Sequence, residues 1–491
     1  MPPYTDAERE RGQRIMVAEG VFARSMDALT GGVVLAAFAV TLGASELEIG
    51  LLAAIPFLAQ FAYVPAVFLL ARTRDRRPLT VASTLVARSV LLAVAAVPFL
   101  DSGLSPLSAL VLLYAGYATL SMVAGASWQV WVRDLVPRAS FGAYFGRRMS
   151  ILTAVGLAAT LLAGQFVAHF SEAFPGRTVE GFAILYVVGA LLGYASSSLL
   201  AVAPSKRLPG TDPAGLSALR VPFSERNFRR VILFLSAWGF AANLALPFLA
   251  VLLLRGLGYG LDVVTGLAAA SMVGNILGFR LWAPLSDRFG NKPVLGLCAS
   301  LFLTSMLAVA LLPKDLGAWT LAAFAILHPL LGVATSGLDL CGNNVVLKLA
   351  PDDRVPGYLA AASVAKALAA GFAPIVGGVL AGVAAGRAFE VRLAFGGPEE
   401  EAVVTALRFS GLDFVFLASF ALGLYALHRL LGFEEEGEAP PEAVVRAMRR
   451  DVGQVSTVAG MRQFAHLASY VVDACYRLDK RMAGVTGRKP P

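Results

Sequence analysis

Long apolar stretches alternate with short polar ones along nearly the whole chain. Runs dominated by Ala, Leu, Val, Phe and Gly fall near 18–43, 47–71, 80–100, 107–132, 150–172, 181–203, 229–254, 263–283, 293–312, 318–347, 357–385 and 409–432. Each is close to the roughly 20 apolar residues that carry a helix across a hydrocarbon layer of about 30 Å. Twelve membrane-spanning helices are therefore predicted. The segment after 432 breaks the pattern. Following EEEGEAPP, a helix start is plausible at Pro441-Glu442, with proline suited to the first turn. Val445, Met448, Val452 and Val455 follow at helical spacing, and after Gly460 come Met461, Phe464, Ala468, Val471, Cys475 and Leu478. Both series predict amphipathic helices, with Arg446, Arg449, Arg450, Arg477, Lys480 and Arg481 available to anionic lipid headgroups.

Composition supports the span count. The 491 residues are 57% hydrophobic and only 15% charged, where a soluble chain carries about 25%. Three cysteines (Cys298, Cys341 and Cys475) are too few for a disulfide framework. The net charge of +8 could suggest nucleic acid, but the bases sit in alternate short loops between apolar runs. Arg72, Arg74, Arg76 and Arg77 occupy one loop, and Arg133, Arg138, Arg147 and Arg148 the next but one. Lys206, Arg207, Arg220, Arg226, Arg229 and Arg230 follow, then Arg288 with Lys292 and Lys348 with Arg354. The intervening SELE (45–48) and DSGLSP (101–106) carry none; the exception is 386–408, a longer loop of mixed charge. By the positive-inside rule the basic loops are cytoplasmic, and an even number of spans puts both termini there. No cleavable signal peptide is expected, since residues 1–17 are polar and charged.

The chain also repeats itself. LGASELEIGLLAA (42–54) reads like LGYGLDVVTGLAA (257–269), pairing Gly43 with Gly258 and Gly50 with Gly266. Pro137 and Tyr144 match Pro351 and Tyr358, and Arg77-Pro78 matches Lys292-Pro293, all about 215 residues apart. Asp75-Arg76 matches Asp287-Arg288 over a slightly shorter interval. The expected organisation is a short N-terminal segment (1–17), a six-helix bundle (18–203), a linker (204–228), a second six-helix bundle (229–432) and a cytoplasmic amphipathic tail (433–491).

The stretch WAPLSDRFGNKPVL (282–295) resembles the loop between helices eight and nine of the major facilitator superfamily. There the pattern is Gly-x-Leu-x-Asp-Arg-x-Gly-x-Lys/Arg; Leu285, Asp287, Arg288, Gly290 and Lys292 fit, with Ala283 where Gly is usual. The resemblance extends over the twelve spans to about residue 432. It implies an all-α membrane fold of two pseudo-symmetric bundles, a substrate site at mid-membrane between them, and alternating access by rocking. It also implies a gating role for Asp287, Arg288, Gly290 and Lys292, and for the shorter first copy at Asp75 and Arg76. A carboxylate there can sit over the free N–H groups of a helix N-terminus. The alternative is plain topology, basic residues holding a loop in the cytoplasm. Two features of proton antiporters in that superfamily are missing: the fourth run has no basic residue and the fifth no Gly-Pro, although FAPIVGG (372–378) occurs in the eleventh.

Ionisable groups at membrane depth are costly and suggest function. Arg24 and Asp27 lie three residues apart in the first run and face the same way. Asp339 in the tenth run and Lys366 in the eleventh are both about 12–14 Å inside the basic boundary, counted at helical rise, so they could meet. Asn243 holds the seventh-run position that corresponds to Asp27. These five are the candidates for a substrate or proton pathway; self-neutralising pairs are the structural alternative. Arg88, His169 and His328 read better as snorkelling or packing groups. Trp128, Gln60 and Gln165 could line a cavity or pack. Gly378, Gly382 and Gly386, at four-residue spacing, point to close helix packing.

No P-loop, His-Glu-x-x-His, Gly-x-Ser-x-Gly or Cys-x-x-Cys is present, so neither catalysis, cofactor nor metal has a constellation. The expected function is a secondary active transporter of the cytoplasmic membrane, with a small-molecule substrate, the lipid bilayer and a proton as coupling candidate, monomeric and without nucleic acid. A sensor signalling through the tail is the first alternative. A polytopic enzyme acting on lipids is the second, and it lacks the gathered polar residues it needs.

Overall fold

In the computed structural model, residues 4–63, 65, 66, 75–99, 103–137, 141–206, 221–351, 354–397, 400–435 and 437 are described. The amphipathic helices expected within 441–491, most of the linker and the end of the second run lie outside them. The first run is two helices, α1 (Asp6–Thr30) and α2 (Gly32–Thr41). The others are α3 (Glu46–Leu58), α4 (Arg76–Ala96), α5 (Pro106–Leu135), α6 (Phe141–Ala173), α7 (Thr178–Val202) and α8 (Arg226–Val251). They continue with α9 (Leu261–Phe289), α10 (Asn291–Leu311), α11 (Ala318–Leu349), α12 (Val355–Ala384) and α13 (Asp413–Leu430). Among the described residues, eleven spans are long and apolar enough to cross a membrane; α3, with a tight turn Ala59–Ala62, covers the second run.

Three differences from expectation have local causes. Residues 6–17 are not a separate segment, because Thr5 and Glu8 form a capping box that starts α1 at Asp6; with Glu8 satisfying the cap N–H, the helix runs unbroken into the membrane. The first span breaks at Gly31-Gly32, where Gly32 has φ of 54°, and the Tyr186 hydroxyl donates to the Thr30 carbonyl (2.9 Å) that the break releases. The loop at 386–408 is an antiparallel β-hairpin, β1 (Ala388–Gly397) with β2 (Glu400–Ser410). Its alternating Phe389, Val391, Leu393 and Phe395 carry the period-two signal.

The first bundle gathers α1 with α6 and α7, and α4 with α5 and α7. The second gathers α8 with α12 and α13, α10 with α11 and α13, and α9 with α11. Trp238, Phe302, Phe324 and Phe416 anchor the second core; Phe38, Leu91, Phe182 and Tyr186 anchor the first, joined by Phe248 and Ala373 from across the seam. The bundles meet through α3 against α12 and α6 against α9. Those two contacts exchange under the repeat, since α3 corresponds to α9 and α6 to α12. Gly43 and Gly258 both have positive φ, 82° and 68°, so the repeat preserves a turn that only glycine makes cheaply. Tyr144 donates to the Gln13 carbonyl at the start of α1 (3.4 Å), and its counterpart Tyr358 to the Glu225 carboxylate at the start of α8.

One end of the molecule, carrying the N-terminus and the Arg- and Lys-rich connections, is called the basic face here. At the opposite, far face the seam is tight. The Arg255 guanidinium pairs with Glu46 at 2.8 Å, and a Cβ placed on Gly378 of α12 would lie 2.5 Å from the Glu46 carbonyl oxygen. Of the glycine series in α12, Gly378 alone makes such an approach: Gly382 meets nothing within 4 Å, and Gly386 lies in the following turn.

Candidate functional site

Between mid-height and the basic face the bundles part around a hollow of about 460 Å³, lined by α8, α10, α11 and α12 with Phe57 and Gln60 from the first bundle. Asn243, Asp339, Asn343, Ser363 and Lys366 supply its polar groups, and Trp238 and Phe302 its aromatic wall. The helical spacing that places Leu338 and Val345 in the core turns Asp339 and Asn343 to the opening. Asp339 and Lys366 thus share one cavity, and Lys366 is a counter-charge for Asp339, yet they form no ion pair within 4 Å. The Asn243 amide donates to the Gly239 carbonyl (2.8 Å), leaving its oxygen as the group that can face the hollow.

Leu246 and Thr335 also line a second lobe of about 360 Å³, where Arg24 and Thr153 of the first bundle face Ser271 and Asn275 of the second. A third, apolar lobe of about 350 Å³ reaches the break in the first span, at Gly32 and Tyr114. Leu246 borders all three lobes. The three lobes of this chamber thus adjoin one another around Leu246, with charge in two of them.

Arg24 and Asp27 do not form the self-neutralising pair that their spacing suggests. Asp27 accepts a hydrogen bond from the Tyr117 hydroxyl (3.1 Å), and of two nearby cations Arg88 attracts it more strongly than Arg24. Arg88 is not snorkelling: it is buried, donates to Ser121 (3.4 Å), and lies 5.9 Å from the Tyr117 ring centroid. Nearer the basic face Glu19 is buried, paired with Arg148 at 3.5 Å and accepting from Ser196 at 3.0 Å. The Arg148 guanidinium stacks 4.5 Å over Trp128. Sequence reading missed this pair because Glu19 stands at the very start of the first apolar run and Arg148 was assigned to the loop just before the fifth. It also missed Asn343, whose one-turn spacing from Asp339 was the available signal.

The gating residues sit differently in the two copies. Asp75 caps α4, accepting from the Arg77 backbone N–H (3.0 Å) and from the Ser205 hydroxyl (2.6 Å); Arg76 is buried beside it. By position in the helix, its counterpart is Gly290, the residue before α10, and not Asp287, which lies exposed with Arg288 in the last turn of α9. The carboxylate missing at Gly290 comes from Glu435, beyond α13. Glu435 accepts from the Lys292 backbone N–H (2.7 Å), from Asn291 (2.8 Å) and from Lys348 (3.0 Å). Burial raises the Glu435 carboxyl, but these hydrogen bonds outweigh it and hold the group below the usual glutamate range. Asp287 and Arg288 make no ion pair among the described residues.

Gln60 lines the hollow. Gln165 and His169 instead border a shallow outer groove, and His169 faces the Gln165 carbonyl (2.8 Å). His328 is buried against the Phe324 carbonyl (2.9 Å).

Residues 233–466 match the family model of the Major Facilitator Superfamily. No curated protein sequence matches the chain. Among solved structures, a D323A mutant of the nucleoside transporter NupG is similar at 13% identity, with a TM-score of 0.65 over 86% of this chain and 100% of that one. A bacterial homologue of the human lysosomal transporter Spinster, inward-facing and unoccupied, is similar at 16% identity, TM-score 0.65, over 87% and 97%. A D-xylose–proton symporter is similar at 14% identity, TM-score 0.63, over 87% and 99%. The chain thus has the fold of these transporters over nearly its whole length, and its second half matches the model of the Major Facilitator Superfamily.

Proposed function

We propose that the protein is a secondary transporter that moves a small solute across the cytoplasmic membrane by exposing the chamber to each side in turn, acting as a monomer. The observation that supports this best is the chamber itself: charged and amide groups of both bundles converge at mid-depth, while the seam beyond them is closed. With the basic face in the cytoplasm, the orientation that the positive-inside rule supports, this conformation opens inward. The Gly378 and Glu46–Arg255 contacts then form the outer gate, and the Asp287–Lys292 turn belongs to the inner one.

Asp27 and Asp339 are the titratable groups suited to couple transport to a proton gradient. Asp339 lines the chamber beside Lys366 and Asp27 lies behind its wall with Tyr117 and Arg88; each has a cation in its region to which it can be bound or from which a proton can free it. The test begins with a ligand thermal-shift screen of purified protein at two pH values. Stabilising solutes are then followed into proteoliposomes under an imposed pH gradient. Asp27→Asn or Asp339→Asn should abolish gradient-driven uptake and leave the protein folded; unchanged uptake in both would remove these residues from the mechanism.

A further inference from the structure

The formal charges bordering the two polar lobes do not balance. Arg24 and Lys366 are cations and Asp339 is the single anion; Asp27 is directed to Tyr117 and Arg88 instead. One positive charge is left over at a depth where uncompensated charge is costly. Counting Arg88 with Asp27 leaves the excess unchanged, and since Arg88 is the stronger partner of Asp27, the excess falls on Arg24, which is half-buried and makes no hydrogen bond or ion pair among the described residues.

The wall behind Arg24 is shaped for it. A Cβ at Gly156 of α6 would come 2.5 Å from the Arg24 Nε, so glycine lets the guanidinium lie against that helix. Thr153, one turn nearer the basic face on the same side of α6, borders the same lobe with a hydroxyl that has no partner among the described residues. On the opposite wall Ser271 and Thr335 spend their hydroxyl protons on backbone carbonyls, His328 at 2.9 Å and Gly332 at 3.1 Å. With the Asn275 amide directed at the Gly332 carbonyl and the Thr335 hydroxyl (3.5 Å each), the donors without a partner among the described residues of this lobe are Arg24 and Thr153. A guanidinium fork with a hydroxyl beside it matches two oxygens of a carboxylate or phosphate.

We propose that the Arg24 lobe is an oxyanion subsite and that the solute is a small organic anion, an inference that rests on the carrier reading above. The oxyanion lies on Arg24 and Thr153, and the body of the molecule extends past Leu246 and Thr335 toward Trp238, Asn243 and Asp339. Chambers of about 360 and 460 Å³ fall in the range, roughly 300–1,000 Å³, that small-molecule sites occupy.

The experiment compares matched pairs by thermal shift on the purified full-length protein: benzoate against benzamide, and glycerol 3-phosphate against glycerol. The expected result is stabilisation by one or both anions and not by their neutral counterparts; which pair responds tells carboxylate from phosphate. Arg24→Gln should weaken binding of that anion about ten- to a hundredfold, the loss expected for a charge-assisted hydrogen bond, and Arg24→Lys should restore part of it. Gly156→Ala keeps the charge but displaces it, and should weaken binding without unfolding the protein, checked by size exclusion. Equal shifts from anion and neutral partner, no shift from any anion, or undiminished anion binding in both Arg24→Gln and Gly156→Ala each overturns the assignment. Gradient-driven uptake of a neutral or cationic solute alone would end the anion assignment and leave the carrier standing. Anion binding without flux of the bound compound would keep the subsite and count against the carrier.

Discussion

Substituting Gly378 by alanine should unseat the closed side of the seam. The new methyl carbon would sit 2.5 Å from the Glu46 carbonyl oxygen, 2.9 Å from the Leu47 Cα and 3.0 Å from the Glu46 carbonyl carbon, where ordinary contact begins at 3.4 Å. All three are backbone atoms, so no side chain can swing aside; α12 must move away from α3 by about 0.9 Å, the shortfall in the closest contact. Overpacking of this kind costs about 1–3 kcal/mol. The penalty applies in the conformation with the far face shut and vanishes when that face opens. At tenfold per about 1.4 kcal/mol, the balance should move roughly 5- to 140-fold toward the opposite conformation. A cysteine at Ser363, exposed in the chamber, reports this once the three native cysteines are replaced. Labelling by a membrane-impermeant maleimide applied from the basic face should slow in the Gly378→Ala background. Unchanged labelling in a protein of unchanged stability would show that this contact does not hold the conformation, and the reasoning would fail.

Other outcomes follow from single contacts. Because the Glu435 carboxyl is held below its ordinary value, its contribution is fully present above about pH 4.5 and is lost as pH falls through its folded value. The melting-temperature gap between wild type and Glu435→Gln should therefore be constant near neutrality and close on acidification. Tyr117→Phe removes the hydroxyl that Asp27 accepts from, and should cost about 0.5–1.5 kcal/mol in chemical denaturation while shifting the pH profile of uptake; an unaltered profile would separate Asp27 from coupling. Glu46 and Arg255 are both partly exposed, so a double-mutant cycle should return a coupling below about 1 kcal/mol. Deleting 438–491, which retains Glu435, should leave flux measurable; complete loss would favour a tail with an essential role.

The helices were legible in the sequence because a membrane span needs only length and apolarity, and the repeat made the two-bundle plan legible as well. Asp339, Lys366 and Asn243 were recognisable as polar groups in apolar runs, and they do share one chamber. Partnership was harder to read. Arg24 and Asp27 look paired by spacing, but spacing along α1 says nothing of Tyr117 and Arg88, which approach from α5 and α4. The first-copy turn looked like a shortened version of the second because both contain Asp-Arg. Counting back from the Arg77-Pro78 and Lys292-Pro293 match would have set Asp75 opposite Gly290; only geometry shows that Glu435, distant in sequence, supplies the second carboxylate. The hairpin was hidden by its mixed charge, which drew attention to orientation and away from alternation.

The interrupted first helix has a mechanical consequence. With the ladder of backbone hydrogen bonds cut at Gly31-Gly32, α2 is coupled to α1 chiefly through a two-glycine joint, and Tyr186 spares the loose end from needing water. The segment beside the far face can therefore tilt while the one bearing Arg24 and Asp27 stays in register with its own bundle. Entry and charge recognition can then be adjusted separately on a single span.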